Sequence, residues 1–169
     1  MEPVDGIQNI VFTYLNSVQL LYNSNKLKTQ FRIILVELRI FQTEVSGLNK
    51  FGGDIERYLE SFCSWQESQN HGDFSQDRTV DTRYTDHWDH GLLLTGLNLY
   101  DRYPDQDTVI GKETRDTSIN FSSISYNTTL PCTGLAWVSG MCHPSYSCTI
   151  NEGNNFESVF VIAHEMGHK

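Results

Sequence analysis

Phe160-Val161-Ile162-Ala163-His164-Glu165-Met166-Gly167-His168 lies one residue before the end of a 169-residue sequence and decides how the rest is read. Phe156, Val159, Phe160 and Ala163 recur at helical spacing, and the polar stretch Asn154-Asn155-Phe156-Glu157-Ser158 can start the helix they predict. On that helix His164 and His168 stand four residues apart, so both imidazoles project from one face and can share a zinc ion. Glu165 leans toward the open coordination position, where its carboxylate can take a proton from water and return it to a leaving amine. The pattern therefore points to metal-assisted hydrolysis of peptide bonds. The plain alternative is an amphipathic helix with two solvated histidines. Zinc in such a site also needs a third protein ligand, and the sequence stops at Lys169 without one.

Composition narrows the setting. A formal net charge of −9 excludes a nucleic-acid or anionic-membrane surface as the partner. No apolar run approaches the roughly 18 residues of a membrane span; the longest, around Ile33-Ile34-Leu35-Val36, suits a buried strand. Met1-Glu2-Pro3-Val4-Asp5 has neither the basic start nor the apolar core of a signal peptide, which taken literally means the cytosol. Other features point outward. Cys63, Cys132, Cys142 and Cys148 permit two disulfides, and two glycosylation sequons begin at Asn120 and Asn127. Together they favour a secreted protein whose N-terminal part is missing from this sequence.

Ile7, Ile10, Val11, Tyr14, Leu15, Val18 and Leu21 trace a helical stripe from about Asp5, a candidate N-cap, to Tyr22. Phe31 to Phe41 is β-branched and apolar, as expected of a central strand covered on both faces. Gly52-Gly53 marks a turn, and Asp54 can cap a second helix that carries Ile55, Tyr58, Leu59, Phe62 and Trp65 inward. Leu92-Leu93-Leu94-Thr95, Gly134 to Val138 and Tyr146 to Asn151 read as strands. Between them, about 101–131 reads as a polar surface-loop insertion. Trp65 and Trp137 read as core residues, His71 and His143 as surface. Alternating helices and strands favour one mixed α/β layered domain over 1–169.

Five blocks, in this order, resemble the catalytic domain of the reprolysin (adamalysin-type) zinc metalloproteases. They are most similar to the ADAMTS group and to arthropod venom and salivary enzymes. The blocks are Ser61-Phe62-Cys63-Ser64-Trp65-Gln66, Trp88-Asp89-His90-Gly91-Leu92-Leu93-Leu94-Thr95-Gly96, Gly134 to Cys142, Ser147 to Glu152, and Ala163 to His168.

The resemblance implies the upper metzincin subdomain: a mixed, mostly parallel sheet flanked by helices, clipped at both ends. The family's first strand, its third zinc histidine and its Met-turn all fall outside the sequence. It implies zinc on His164 and His168, Glu165 as general base, and an extended protein or peptide substrate along Gly134, Leu135, Ala136, Trp137 and Val138. It pairs Cys63 with Cys148. It also matches Asp89 to a calcium ligand, with a solvated loop carboxylate as the equal alternative. Cys132 matches half of a local disulfide whose other half is Tyr100 here, so Cys132 and Cys142 either pair together or stay free. With one zinc ligand absent, the 169-residue polypeptide is expected to hold zinc weakly and to be inactive. The competing reading is a catalytically dead fold that binds proteins as a decoy or regulator. Substrate identity and oligomeric state lie beyond the sequence.

Overall fold

The computed structural model describes residues 4–24, 27, 29–70, 87–102, 109–110, 133–141 and 143–168. Helix α1 spans Val4–Tyr22 and helix α2 spans Ile55–Gln69. The strands are β1 (Gly91–Thr95), β2 (Asp101–Arg102), β3 (Val109–Ile110), β4 (Gly134–Ala136) and β5 (Cys148–Glu152), and helix α3 (Ser158–Gly167) follows. The main sheet has the order β1-β5-β4. β1 runs parallel to β5, with Leu93 opposite Ile150, and β4 runs antiparallel to β5, with Leu135 opposite Ile150. Among the described residues the sheet is thus mixed, with the parallel pairing the longer of the two.

The strand period of two sorts the side chains onto two faces. Leu93, Cys148 and Ile150 pack with Ile55, Tyr58, Leu59, Phe62 and Cys63 of α2. Leu92 and Leu94 turn the other way, onto a second cluster made by Tyr14 and Val18 of α1 and by Val159 and Ile162 of α3. The apolar run Leu92-Leu93-Leu94 is explained by this double cover. Cys63 and Cys148 are disulfide-bonded across the α2 face, with Cα atoms 5.6 Å apart.

Local chemistry sets where α2 begins. Gly53 has φ +98, and a Cβ there would collide with the carbonyl oxygen of Asn98. That close approach lets Tyr100 N–H donate to Gly53 O at 2.9 Å, while Ile55 N–H donates to Tyr100 O at 2.9 Å. Asp54 then caps the helix, accepting from the backbone N–H of Arg57 at 3.3 Å.

Several expectations are corrected. Helix α1 begins at Val4, so Asp5 lies inside its first turn, where a carboxylate still favours the helix dipole. Of the α1 stripe only Tyr14 and Val18 are buried, packed against Val159 and Ile162 of α3; Ile10 and Leu21 are exposed. On α3 the inward face is Val159 and Ile162, with Phe156 and Phe160 outside. The largest departure is Phe31 to Phe41. Among the described residues it joins no ladder, and Phe31, Ile34, Leu35, Val36 and Phe41 are exposed. A side chain takes the place of a neighbouring strand at one end: Gln19 donates to Phe31 O at 2.8 Å and accepts from Ile33 N–H at 2.6 Å. At the other end the Arg39 guanidinium lies 5.8 Å from the Trp65 ring centre and 5.6 Å from that of Trp88.

Within the expected loop insertion, Asp101–Arg102 and Val109–Ile110 pair antiparallel. The rest of that insertion, with Asn120 and Asn127, lies outside the described residues, as do His71, Cys132 and Cys142. No helix among the described residues is long and apolar enough to cross a membrane.

The disulfide closes a loop of 85 residues. Replacing Cys63 and Cys148 together by alanine is expected to lower unfolding free energy by about 4 kcal/mol. Urea unfolding measures this, and a loss under about 1 kcal/mol contradicts it.

Candidate functional site

Helix α3 fixes the spacing of its polar residues before any tertiary contact acts. One turn carries His164 to His168. Their rings stand at 89° with centroids 4.6 Å apart, and the two Nε2 atoms are 3.0 Å apart. Two nitrogens on a tetrahedral zinc ion, each at about 2.05 Å, are separated by about 3.3 Å. The pair is within a few tenths of an ångström of that requirement, and borderline-soft imidazole suits zinc. The donor set therefore fits the metal.

Glu165 completes the group: ligand atoms of His164, Glu165 and His168 all lie within 4.8 Å of one another. Burial divides the three. His164 is exposed and His168 half-buried, whereas Glu165 is only 8% exposed. The cause is the helical step of about 100° per residue, which turns Glu165 away from the solvent face and toward β4. There it meets Gly134. A Cβ at that glycine would fall within 3.0 Å of Asn151 Nδ2, Val161 Cγ1 and Glu165 Cγ. Gly134 is thus needed for close approach, so that strand β4 and helix α3 can share one layer.

Hydrogen bonds hold the helix at several points. Tyr14 OH donates to Asn155 O and Tyr22 OH donates to Ala163 O, each at 2.7 Å, so α1 holds the turn that leads into α3 and the middle of the helix. Beyond β4, Ser139 N–H donates to His168 O at 2.8 Å and ties that loop to the histidine turn.

The other expected site residues scatter. Gly134, Leu135 and Ala136 form β4, a terminal strand of the sheet. Trp137 and Val138 lie past its end and are 36% and 73% exposed, so Trp137 is not a core residue. Asp89 is exposed and has His87 Nε2 at 3.9 Å from its carboxylate. Among the described residues it joins no group of three metal-ligating side chains.

Tyr22, Ser139 and Asn151 were not legible as site residues. Tyr14, Val18 and Tyr22 are spaced by four, so a phenol at each end of an apolar stripe was a usable signal. Asn151 is fully buried, and neither amide atom has a hydrogen-bond partner among the described residues.

Two outcomes follow. Burial raises the Tyr22 phenol above its ordinary 10.0, so the folded state holds that proton more tightly than the unfolded chain does. The stability this gives is complete below pH 10 and declines as pH rises through the raised value. Tyr22→Phe should therefore cost about 1 kcal/mol at neutral pH and make the alkaline loss of stability shallower, read from urea midpoints across pH. Tyr58 is raised by burial too, so the readout is the difference between the wild-type and variant curves. Gly134→Ala should destabilise by about 1–3 kcal/mol and shift the backbone amide NMR signals of α3 around Glu165; an unshifted spectrum contradicts the shared layer.

No protein-family model matches the chain. It is 29% identical over 157 residues, 91% of its length, to "A disintegrin and metalloproteinase with thrombospondin motifs adt-1" of Caenorhabditis elegans. To the human proteins of that description numbered 14 and 6 it is 31% and 32% identical, over 97% and 96% of its length. The chain spans only 8%, 10% and 12% of these three relatives. With 31% and 32% identity over nearly its whole length, the chain belongs to the ADAMTS-like branch of the reprolysin-type metalloproteinases.

Proposed function

We propose that this chain is the zinc-binding part of a secreted metalloendopeptidase that hydrolyses peptide bonds of extracellular proteins. The observation that carries the reading is the histidine pair, with Nε2 atoms 3.0 Å apart and Glu165 buried beside them against the terminal strand. His164 and His168 would hold the ion. When bound, zinc supplies Lewis-acid polarisation of the scissile carbonyl and acidifies a water.

The chain's own groups account for the rest. The Glu165 carboxylate accepts a proton from the attacking water and passes it to the departing amide nitrogen. Packing against Gly134 limits the conformations of Glu165, so the carboxylate is held in place before substrate arrives. An extended substrate lies along β4 and gains main-chain hydrogen bonds that demand little of its sequence. The disulfide between Cys63 and Cys148, with the sequons at Asn120 and Asn127, supports an extracellular setting.

Competitive zinc titration of the 169-residue polypeptide tests the ligands, and peptide hydrolysis tests the proton carrier. His164→Ala and His168→Ala should each weaken zinc binding by about 100-fold. Glu165→Gln should leave zinc affinity within about threefold, and in a form of the protein extended past Lys169 to supply the third histidine ligand it should lower hydrolysis by about 100-fold or more. Zinc affinity insensitive to both histidines, or hydrolysis insensitive to Glu165, overturns the reading.

A further inference from the structure

Past the end of β4 the chain carries a group of large side chains that the zinc chemistry does not use. Trp137 is 36% exposed, Met141 40% and Tyr146 46%. In a chain that is 20% charged, the stretch from Thr133 to Asn151 contains no Asp, Glu, Lys or Arg. The rings are already arranged. Trp137 and Tyr146 have centroids 5.2 Å apart, and the His143 ring stacks on Tyr146 at 4.4 Å with 24° between planes. Backbone bonds fix the turn that presents them: Tyr146 N–H donates to His143 O at 3.1 Å, Ser147 N–H to the same oxygen at 2.9 Å, and His143 N–H to Gly140 O at 3.1 Å.

The group is also fixed relative to the histidine pair. Ser139 adopts φ 59, a left-handed conformation costly for a residue with a Cβ, while its N–H is bonded to His168 O. A strained residue clamped to the histidine turn positions everything on the loop around it.

We propose that Trp137, Tyr146 and His143 form a shelf that receives an uncharged, preferably aromatic side chain of an extended peptide lying along β4. The occupant is set by continuity and by charge. The shelf follows the terminal strand directly, so a peptide added to β4 runs onto it. With no Asp, Glu, Lys or Arg in it, the stretch offers no carboxylate, ammonium or guanidinium to pair with a basic or acidic residue, whereas ring faces and edges reward an aromatic one. The inference deepens the peptidase reading and rests on it, since it takes β4 as the substrate strand.

The test is peptide binding to the 169-residue polypeptide in the presence of a chelator, followed by saturation-transfer NMR and tryptophan fluorescence. The probes are blocked Ser/Ala peptides that differ at one position, carrying Phe, Leu, Lys or Glu there. The Phe peptide is expected to bind about tenfold more tightly than the Glu or Lys peptide, with Leu between. Tyr146→Ala should erase that preference and Tyr146→Phe should keep it, with circular dichroism confirming that both variants are folded. Equal binding of all four peptides, no binding, or a preference that survives in Tyr146→Ala overturns the shelf. Because no metal or hydrolysis enters the measurement, its failure is separate from any failure of the zinc titration or of Glu165→Gln.

Discussion

Strand β5 is bonded along both edges and covered on both faces, and the positions of the other elements are set against it. Cys148 and Ile150 point to α2, where the disulfide adds a covalent tie to the apolar contact. By the period of two, Thr149 and Asn151 point to the opposite face, and both are fully buried there. Such a strand would be wholly apolar if stability alone shaped it. Instead one face carries an apolar set and the other a polar pair lying under helix α3. Thr149 shares a hydrogen bond of 3.2 Å with His90. Asn151 is wedged beside Gly134, with its amide unsatisfied among the described residues at a cost of about 1–3 kcal/mol.

How much of this could be read from the sequence depends on how local the determining physics is. Helix α2 was legible because its start is written in three adjacent residues, Gly52-Gly53-Asp54, and its inward face in a clean period of 3.6. The histidine pair was legible for the same reason, since four residues on a helix bring two side chains together whatever the surroundings. Phe31 to Phe41 was misread because composition reports the ability to pair and not the presence of a partner. In the fold the Gln19 amide meets the backbone at Phe31 and Ile33, and Arg39 packs against two indole rings. Neither is visible in a local pattern.

Helix α3 shows a subtler ambiguity. Phe156, Val159, Phe160 and Ala163 satisfy a helical period, and so do Val159, Ile162 and Met166. Sequence cannot choose between two apolar stripes on one short helix. The choice is made by α1, whose Tyr14 and Tyr22 phenols reach the carbonyls of Asn155 and Ala163 and fix the rotation of α3 about its axis. That rotation leaves Phe160 61% exposed and turns Ile162 fully inward. It also leaves His164 exposed and His168 half-buried, and turns Glu165 toward the sheet. The geometry of the candidate site is therefore decided by a helix more than 140 residues away along the chain.

The burial of Glu165 and the openness of the histidines are two consequences of one helical turn. A metal ligand must stay accessible to an ion and to substrate, while a proton carrier gains from being held still in a partly dehydrated place. With a step of about 100° per residue, a helix lying on a sheet meets both demands only if the strand beneath yields room for the carboxylate stem. Gly134 provides that room by lacking a Cβ. In the proposed enzyme the same strand receives the substrate backbone. Substrate position and carboxylate position are thus referred to a single element, and a displacement of β4 would disturb both at once. The close approach of Asn151, Val161 and Glu165 to Gly134 explains why a glycine stands in a strand where a β-branched residue would pair better.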